Sequence, residues 1–147
     1  MNARFRSPRW ALACISLTLA TPVQAAGRSG IDWYSDMPSA WSVSRELGRP
    51  MLLFFTMDGC HYCTKMRQAT LTDPRVVAEV EGGYVAATIR AASNPQLVRQ
   101  LHIERFPTTL IASPDGKILA VINGYVAPAE LRSRMRAARY RLTSHRP

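Results

Sequence analysis

The sequence predicts an α/β domain with a central mixed sheet of four to five strands flanked by helices. Two continuous apolar runs of strand length, residues 51–55 and 84–89, alternate with segments of helical pattern. Strands that are apolar on both faces usually lie inside a sheet that is covered on both sides. An Asp-Gly dipeptide at 115–116 separates two further apolar runs and predicts a hairpin. The 147 residues suffice for one such domain.

Local start and stop signals divide the chain into elements. Residues 31–34 are predicted as a short edge strand or an extended lead-in, and the first helix is expected to turn Ala40, Val43 and Leu47 towards the core and to stop at Gly48. The remaining predicted elements are helix 39–47, strand 51–55, helix 60–69, helix 75–80, strand 84–89, helix 95–101, strand 108–112, strand 117–122 and helix 129–141. The alternation of strands with helices implies parallel pairing, and the hairpin adds an antiparallel edge.

The first 25 residues are predicted to be a secretory signal. A basic start with three arginines precedes an apolar run over residues 10–20, and small residues before the cut predict cleavage after Ala25. An uncleaved anchor is disfavoured because eleven apolar residues fall short of the ~20 that span a bilayer. The sequence therefore predicts a periplasmic or secreted protein with a domain over 26–142 and a short basic tail over 143–147.

The formal net charge of +9 is unevenly distributed. Residues 26–130 carry equal numbers of basic and acidic side chains, whereas the chain after residue 130 carries arginines only. These are Arg132, Arg134, Arg136, Arg139, Arg141 and Arg146. They are expected to form the solvated side and end of the last helix, with contact to an anionic lipid surface or an acidic partner as the alternative. No nucleic-acid partner is expected, because no basic face carries aromatic readers.

The chemistry is predicted at Cys60-His61-Tyr62-Cys63, which directly follows a buried strand and opens a helix. Without the leader and its Cys14, these are the two remaining cysteines. A bridge across two residues restricts the unfolded chain little, so the pair suits reactivity better than stapling. The helix N-terminus and His61 are expected to lower the pKa of Cys60 below ~8.5 and make it the nucleophile. Cys63 then acts as the resolving thiol.

The two intervening residues leave alternatives open. His61 either tunes the pKa of Cys60 or faces a substrate groove, and Tyr62 is either a substrate contact or a lid. A zinc site is disfavoured because the histidines that could complete it, His61, His102 and His145, do not assemble a tetrahedral set. Copper(I) is the better metal rival, with Met57 and Met66 flanking the pair, although both fit core filling better. No metal and no cofactor beyond the dithiol is expected.

These residues resemble the thioredoxin superfamily over roughly residues 31–138. The landmarks are the strand before the cysteine pair, the stretch 105–108 before the third strand, and Gly124 before the last helix. The resemblance implies that Pro107 is cis and faces the pair, and that the backbone of Phe106 pairs with an extended substrate segment. Phe106, Pro107 and Thr108 are therefore expected to bind substrate. It also implies an oxidoreductase that exchanges disulfides with protein thiols and a redox partner of its own. We expect a monomer.

The segment over residues 33–50 is similar to the exported thioredoxin-related subgroup, and so to the C-terminal domain of transmembrane disulfide reductases. Four positions depart from typical thioredoxins: Gly59 stands in place of Trp, Phe54 in place of a buried Asp, and His61-Tyr62 in place of Gly-Pro. The direction of electron flow therefore stays open. The rival from another class is a binding module, either a copper(I) carrier or a non-catalytic adaptor.

Overall fold

The computed structural model describes residues 30–144, so the predicted leader over 1–25 and the last three residues lie outside it. In chain order the elements are β1 (Trp33–Tyr34), α1 (Met37–Leu47), β2 (Met51–Thr56), α2 (His61–Lys65) with a π-helical continuation (Met66–Thr70), α3 (Pro74–Gly83), β3 (Val85–Arg90), α4 (Pro95–Gln100), β4 (Thr108–Ala112), β5 (Ile118–Asn123) and α5 (Pro128–Ser144). Each predicted helix and strand is present. The last helix continues through Ser144, into the range predicted as tail.

The five strands form one mixed sheet in the order β1-β3-β2-β4-β5. β1, β3 and β2 run parallel, whereas β4 is antiparallel to β2 and β5 is antiparallel to β4. The predicted α/β class and mixed sheet are confirmed, and β1 is an edge strand.

The direction of β4 differs from the prediction, since alternation with helices implied a parallel strand. The six residues of α4 span about 9 Å, whereas the six residues of β3 span about 20 Å. The helix therefore returns the chain over less than half of the length of the strand, and residues 101–107 do not complete the return. As a result, β4 begins at the end where β2 finishes, and this brings residues 105–107 next to the segment that carries the cysteines.

Helices cover both faces of the sheet, and β2 is buried along its whole length. Leu52 and Phe54 face one core, which contains Cys63 and Met66 together with residues of α3 and α5. The alternate residues of β2 face the other core, with Ala40 of α1 and Ile89 of β3. The cysteine pair therefore belongs to the core on the α3 and α5 side.

The first helix stops at Gly48 as predicted and buries most of the predicted face. Its N-cap Asp36 accepts a hydrogen bond from the Ser39 N–H at 2.8 Å, and Gly48 ends it with a φ of 62°. Ala40 is buried and Val43 packs partly buried against the core, both as predicted, but Leu47 is 51% exposed and Ser44 is buried. Leu47 is the last residue of α1, and the two residues that follow it, Gly48 and Arg49, are exposed as well.

The arginines of α5 are not all solvated, which corrects the prediction for Arg132. Glu79 of α3 lies 2.9 Å from Arg132 and 3.4 Å from Arg136, and its side chain is largely buried. The Tyr84 hydroxyl donates a hydrogen bond to the carbonyl of Met135 at 2.6 Å. These contacts hold α5 against α3. Within residues 30–144, no helix combines the length and apolar composition that a bilayer-spanning segment requires.

Candidate active site at Cys60 and Cys63

A short turn at the carboxyl end of β2 positions the first cysteine. Gly59 has a φ of 70°, a left-handed conformation that glycine adopts without strain. This backbone gives a physical reason for glycine at the position where typical thioredoxins carry Trp. Cys60 follows as the N-cap of α2, in an extended conformation. The helix therefore begins at the residue after the first cysteine.

The two cysteines form a disulfide, and their Cα atoms are 5.2 Å apart. Cys63 is completely buried, whereas Cys60 is only half-buried. The backbone N–H of Cys63 donates a hydrogen bond to Sγ of Cys60 at 3.1 Å. A donor in this position stabilises negative charge on the sulfur when the disulfide is reduced. The difference in burial makes Cys60 the sulfur that another molecule can reach.

His61 and Tyr62 both lie on the surface. Their ring centroids are 5.5 Å apart in an edge-to-face arrangement, and Tyr62 is 56% exposed. Both side chains are available to a docking molecule. Their predicted roles, pKa tuning by His61 and substrate contact by Tyr62, stay predictions.

The stretch before β4 lies beside the cysteines. The Phe106–Pro107 peptide bond is cis, as the resemblance implies. The β2–β4 register pairs Phe55 with Thr108, so Pro107 directly precedes the first paired residue of β4, at the carboxyl end of β2. Phe106 is half-buried and packs against the core that contains Cys63. Across the described residues, no group donates to or accepts from the backbone of Phe106, so this backbone can pair with another chain.

Thr108 is fully buried at the start of β4. Its hydroxyl lies 2.7 Å from the Arg105 carbonyl and 3.1 Å from the Asn123 side chain. These contacts hold the backbone on either side of Pro107. Substrate binding by Thr108 stays a prediction, and the structure gives its side chain partners inside the protein.

A third loop, over residues 124–127, completes the site, and sequence reasoning noted only its glycine. The N–H of Gly124 donates to the Pro107 carbonyl at 2.7 Å, and the Thr70 hydroxyl donates to the Val126 carbonyl at 2.7 Å. The Lys65 ammonium lies 4.5 Å from the centroid of the Tyr125 ring. The loop therefore ties the Pro107 segment to the helix that carries the cysteines. Aromatic and glycine residues at 124–125 were the available sequence signal.

Comparisons with known proteins agree with this geometry. A protein-family model described as the thioredoxin-like domain matches residues 37–139. The chain belongs to the thioredoxin-like domain family. A search of curated proteins found no match.

Solved structures of the thioredoxin-like fold are similar along most of their length. A thioredoxin from Thermus thermophilus is 25% identical with a TM-score of 0.67, covering 73% of this chain and 85% of its own. The DsbH oxidoreductase is 23% identical with a TM-score of 0.67, and the match covers 84% of this chain and 92% of the DsbH chain. The oxidised C-terminal domain of DsbD from Neisseria meningitidis is 19% identical with a TM-score of 0.60, and the match covers 69% of this chain and 95% of the DsbD domain.

The thioredoxin-like core under the cysteines lacks the acidic residue of typical thioredoxins. Phe54 occupies that position, is 1% exposed and packs in the same core as Cys63. Thr109 lies directly opposite Phe54 in the sheet, and Thr56 lies two residues further along β2. The hydroxyls of Thr56 and Thr109 are buried and have no hydrogen-bond partner within residues 30–144. Sequence reasoning missed both residues, because a missing partner is a property of the packed core.

The two methionines proposed as metal ligands are separated by burial. Met57 is 48% exposed, whereas Met66 is fully buried in the core with Cys63. Nowhere in residues 30–144 do three or more His, Cys, Asp or Glu side chains cluster as a metal site would need. Met66 thus fills the core, the use that its sequence position favoured.

Proposed function

We propose that this protein is a thiol–disulfide oxidoreductase that exchanges disulfides with protein substrates through Cys60 and Cys63. The observation that carries the proposal is the pairing of a half-buried Cys60, whose sulfur accepts the Cys63 N–H, with a completely buried Cys63. The thioredoxin-like family of the chain supports it. The accessible sulfur reacts with the substrate, and the buried sulfur reacts only with its neighbour.

In the reducing direction, the Cys60 thiolate attacks one sulfur of a substrate disulfide. A mixed disulfide forms, and the other substrate sulfur leaves as a thiolate and takes up a proton. Cys63 loses its proton and attacks Sγ of Cys60, which releases the second substrate thiol. Two electrons pass to the substrate, and the protein is left with the disulfide seen in the structure. The same steps reversed oxidise a substrate dithiol.

The substrate surface is proposed to lie around the exposed cysteine. An extended substrate segment would pair with the Phe106 backbone, which has no partner within the described residues. Exposed Tyr62 and half-buried Phe106 would supply apolar contact on either side of the Cys60 sulfur. Pro107 and Thr108 would hold the Phe106 backbone in place.

The proposed location is the periplasm or the cell exterior, and the support is the signal-type leader of the sequence. In that location a separate redox partner must restore the cysteine pair after each cycle. The domain over residues 26–142 would act as a monomer, because the exchange needs one cysteine pair.

A disulfide-exchange assay tests the proposal. The reduced protein should reduce a model protein disulfide, Cys60→Ser should abolish exchange, and Cys63→Ser should trap the mixed disulfide. Thr64→Ser, an exposed change on the same helix, is the matched control and should retain activity. Near-stoichiometric copper(I) binding with little exchange would establish the binding-module alternative instead.

The reduction potential of the Cys60–Cys63 couple decides the direction of electron flow. A reduction potential of about −120 mV indicates an oxidant, and one of about −270 mV indicates a reductant.

A further inference from the structure

A charged cleft lies at the end of the sheet opposite the cysteines. Its volume is about 790 Å³. The ends of α1, α3 and α5, the hairpin after β4 and Pro50 line it. Pro50 precedes β2 and Cys60 follows it, so about 20 Å of strand separates this cleft from the redox pair.

Basic side chains from two helices, α1 and α5, and from two loops line the cleft. They are Arg45, Arg49, Lys117, Arg139 and Arg141, and each is exposed to solvent. One carboxylate, Asp115, lies among them and contacts Lys117 at 3.3 Å. Within residues 30–144, no carboxylate lies within ion-pair distance of Arg45, Arg49 or Arg139. The cleft therefore concentrates positive charge, and three of its arginines have no carboxylate partner among the described residues.

The partial negative charges at helix ends neutralise part of this positive charge but not all of it. The carboxyl ends of α1, α3 and α5 each carry about −0.5 charge, and the Arg49 guanidinium lies 3.5 Å from the Glu81 carbonyl in the last turn of α3. Arg141 donates a hydrogen bond to the Leu119 carbonyl at 2.8 Å. The three helix ends and Asp115 together offset about two and a half of the four positive charges on Arg45, Arg49, Lys117 and Arg139.

The arginines of α5 divide by position along the helix. Arg132 and Arg136 pair with Glu79, and Arg134 lies 3.5 Å from Glu130. Beyond them, Arg139 and Arg141 line the cleft instead. The first half of α5 therefore contacts acidic side chains of the protein, and the last turns of the helix line the cleft.

Arg139 lies directly over a glycine in the cleft wall. A Cβ on Gly83 would lie 2.8 Å from Nη1 of Arg139, closer than side-chain atoms approach one another. Glycine at this position leaves room for the guanidinium against the wall. Pro50, Leu119 and Leu142 add apolar surface beside it.

We propose that this cleft binds a phosphate-bearing anion, either a free phosphate compound or the headgroup of an anionic lipid. Guanidinium groups bind phosphate oxygens with two parallel hydrogen bonds, and cations on several sides suit a group with several charged oxygens. The apolar wall accommodates the carbon part that an esterified phosphate carries.

The test uses two probes, inorganic pyrophosphate by calorimetric titration and vesicles of phosphatidylglycerol in phosphatidylcholine by cosedimentation. The double variant Arg45→Gln with Arg139→Gln should weaken binding at least about tenfold. The control Arg75→Gln with Arg99→Gln removes the same charge from exposed positions outside the cleft and should stay within about twofold. Gly83→Ala keeps every charge but displaces the Arg139 guanidinium, and should also weaken binding.

Each outcome decides the proposal. Pyrophosphate binding without vesicle binding identifies a soluble ligand, and vesicle binding that depends on phosphatidylglycerol identifies a lipid headgroup. Failure of both probes to bind, or equal losses in the cleft and control variants, would overturn the site. Thermal melting shows whether each variant is folded. Disulfide exchange should be unchanged throughout, so the result is independent of the proposed redox function.

Discussion

The backbone N–H of Cys63 donates a hydrogen bond to Sγ of Cys60 at 3.1 Å. The donor belongs to the first turn of α2, where backbone N–H groups have no partner within the helix. A hydrogen bond to the charged form of a group favours that form, so this contact stabilises a thiolate on Cys60. Cys63 has no corresponding exposure to solvent. The two sulfurs therefore differ in hydrogen bonding and in exposure, because the start of α2 places one at its N-terminus and the other in the core.

We expect the pKa of Cys60 in the reduced protein to lie below the free value of ~8.5, because the Cys63 N–H favours the thiolate. Thiolate absorbance titration measures it. Cys63→Ser keeps the backbone donor and should keep the low pKa. A value at or above that of free cysteine would contradict the role given to the helix start.

His61→Ala should raise the pKa of Cys60, since the imidazole can place a cation or a hydrogen bond next to the sulfur. The same titration measures the change. Tyr62→Phe keeps the ring beside His61 and serves as the control. An unchanged pKa in His61→Ala would leave His61 with the alternative role, facing the substrate groove.

Thr109→Val should raise the free energy of unfolding by about 1 kcal/mol, because the change removes a buried hydroxyl that lacks a partner. Denaturant unfolding measures it. Thr108→Val is the matched control on the adjacent residue, and it should lower the free energy by about 1–2 kcal/mol because it leaves the Arg105 carbonyl without its donor. Changes of the same sign in both variants would contradict this difference.

Burial raises the pKa of Tyr84, against an opposing effect of Arg139 and with a smaller contribution from Glu79. In the unfolded chain this tyrosine ionises near pH 10, whereas in the folded protein it stays protonated to higher pH. Its contribution to stability is therefore complete below pH 10 and is lost as the pH rises further. The free energy of unfolding should fall by up to about 1.4 kcal/mol per pH unit there.

Tyr84→Phe should remove that slope, and denaturant unfolding at several pH values above 10 measures it. At neutral pH the variant should lose about 1 kcal/mol, because the hydrogen bond to the Met135 carbonyl is gone. Tyr140→Phe, at a tyrosine that is 74% exposed, should leave the profile unchanged. Parallel profiles for Tyr84→Phe and the unsubstituted protein would show that another group titrates.

Glu79→Gln should lower the free energy of unfolding by about 1–3 kcal/mol, because one largely buried carboxylate contacts both Arg132 and Arg136. Hydrogen exchange along α5 should speed up in the same variant. Glu130→Gln removes an exposed ion pair with Arg134 and should cost less than about 0.5 kcal/mol. Equal losses would show that the ion pairs do not hold α5 in place.

Local patterns predicted most of the elements and part of the site. The strand at 108–112 has the predicted bounds, and β2 and the helix starts at Asp73 and Asn94 follow the apolar runs and caps that indicated them. These signals act within a few residues of the chain, so one sequence is enough to detect them.

Contacts between distant residues escaped prediction. The antiparallel direction of β4, the exposure of Leu47 and the ion pairs of Arg132 each depend on how long a helix is and what lies over it. The hydroxyl of Thr109 resembles that of Thr108 in sequence, and only the packed core separates the paired one from the unpaired one.

By itself the sequence determined that a Cys-x-x-Cys pair follows a buried strand and opens a helix. Its resemblance to the thioredoxin superfamily also implied that Pro107 faces this pair. Only the tertiary structure decided that β4 runs antiparallel to β2, that the buried Thr109 hydroxyl has no partner within residues 30–144, and that cations from two helices and two loops meet in one cleft. The physical reason is that periodicity and caps are read over a few neighbouring residues. Burial, strand direction and the sum of charges around a cavity arise only when segments far apart in the chain pack together.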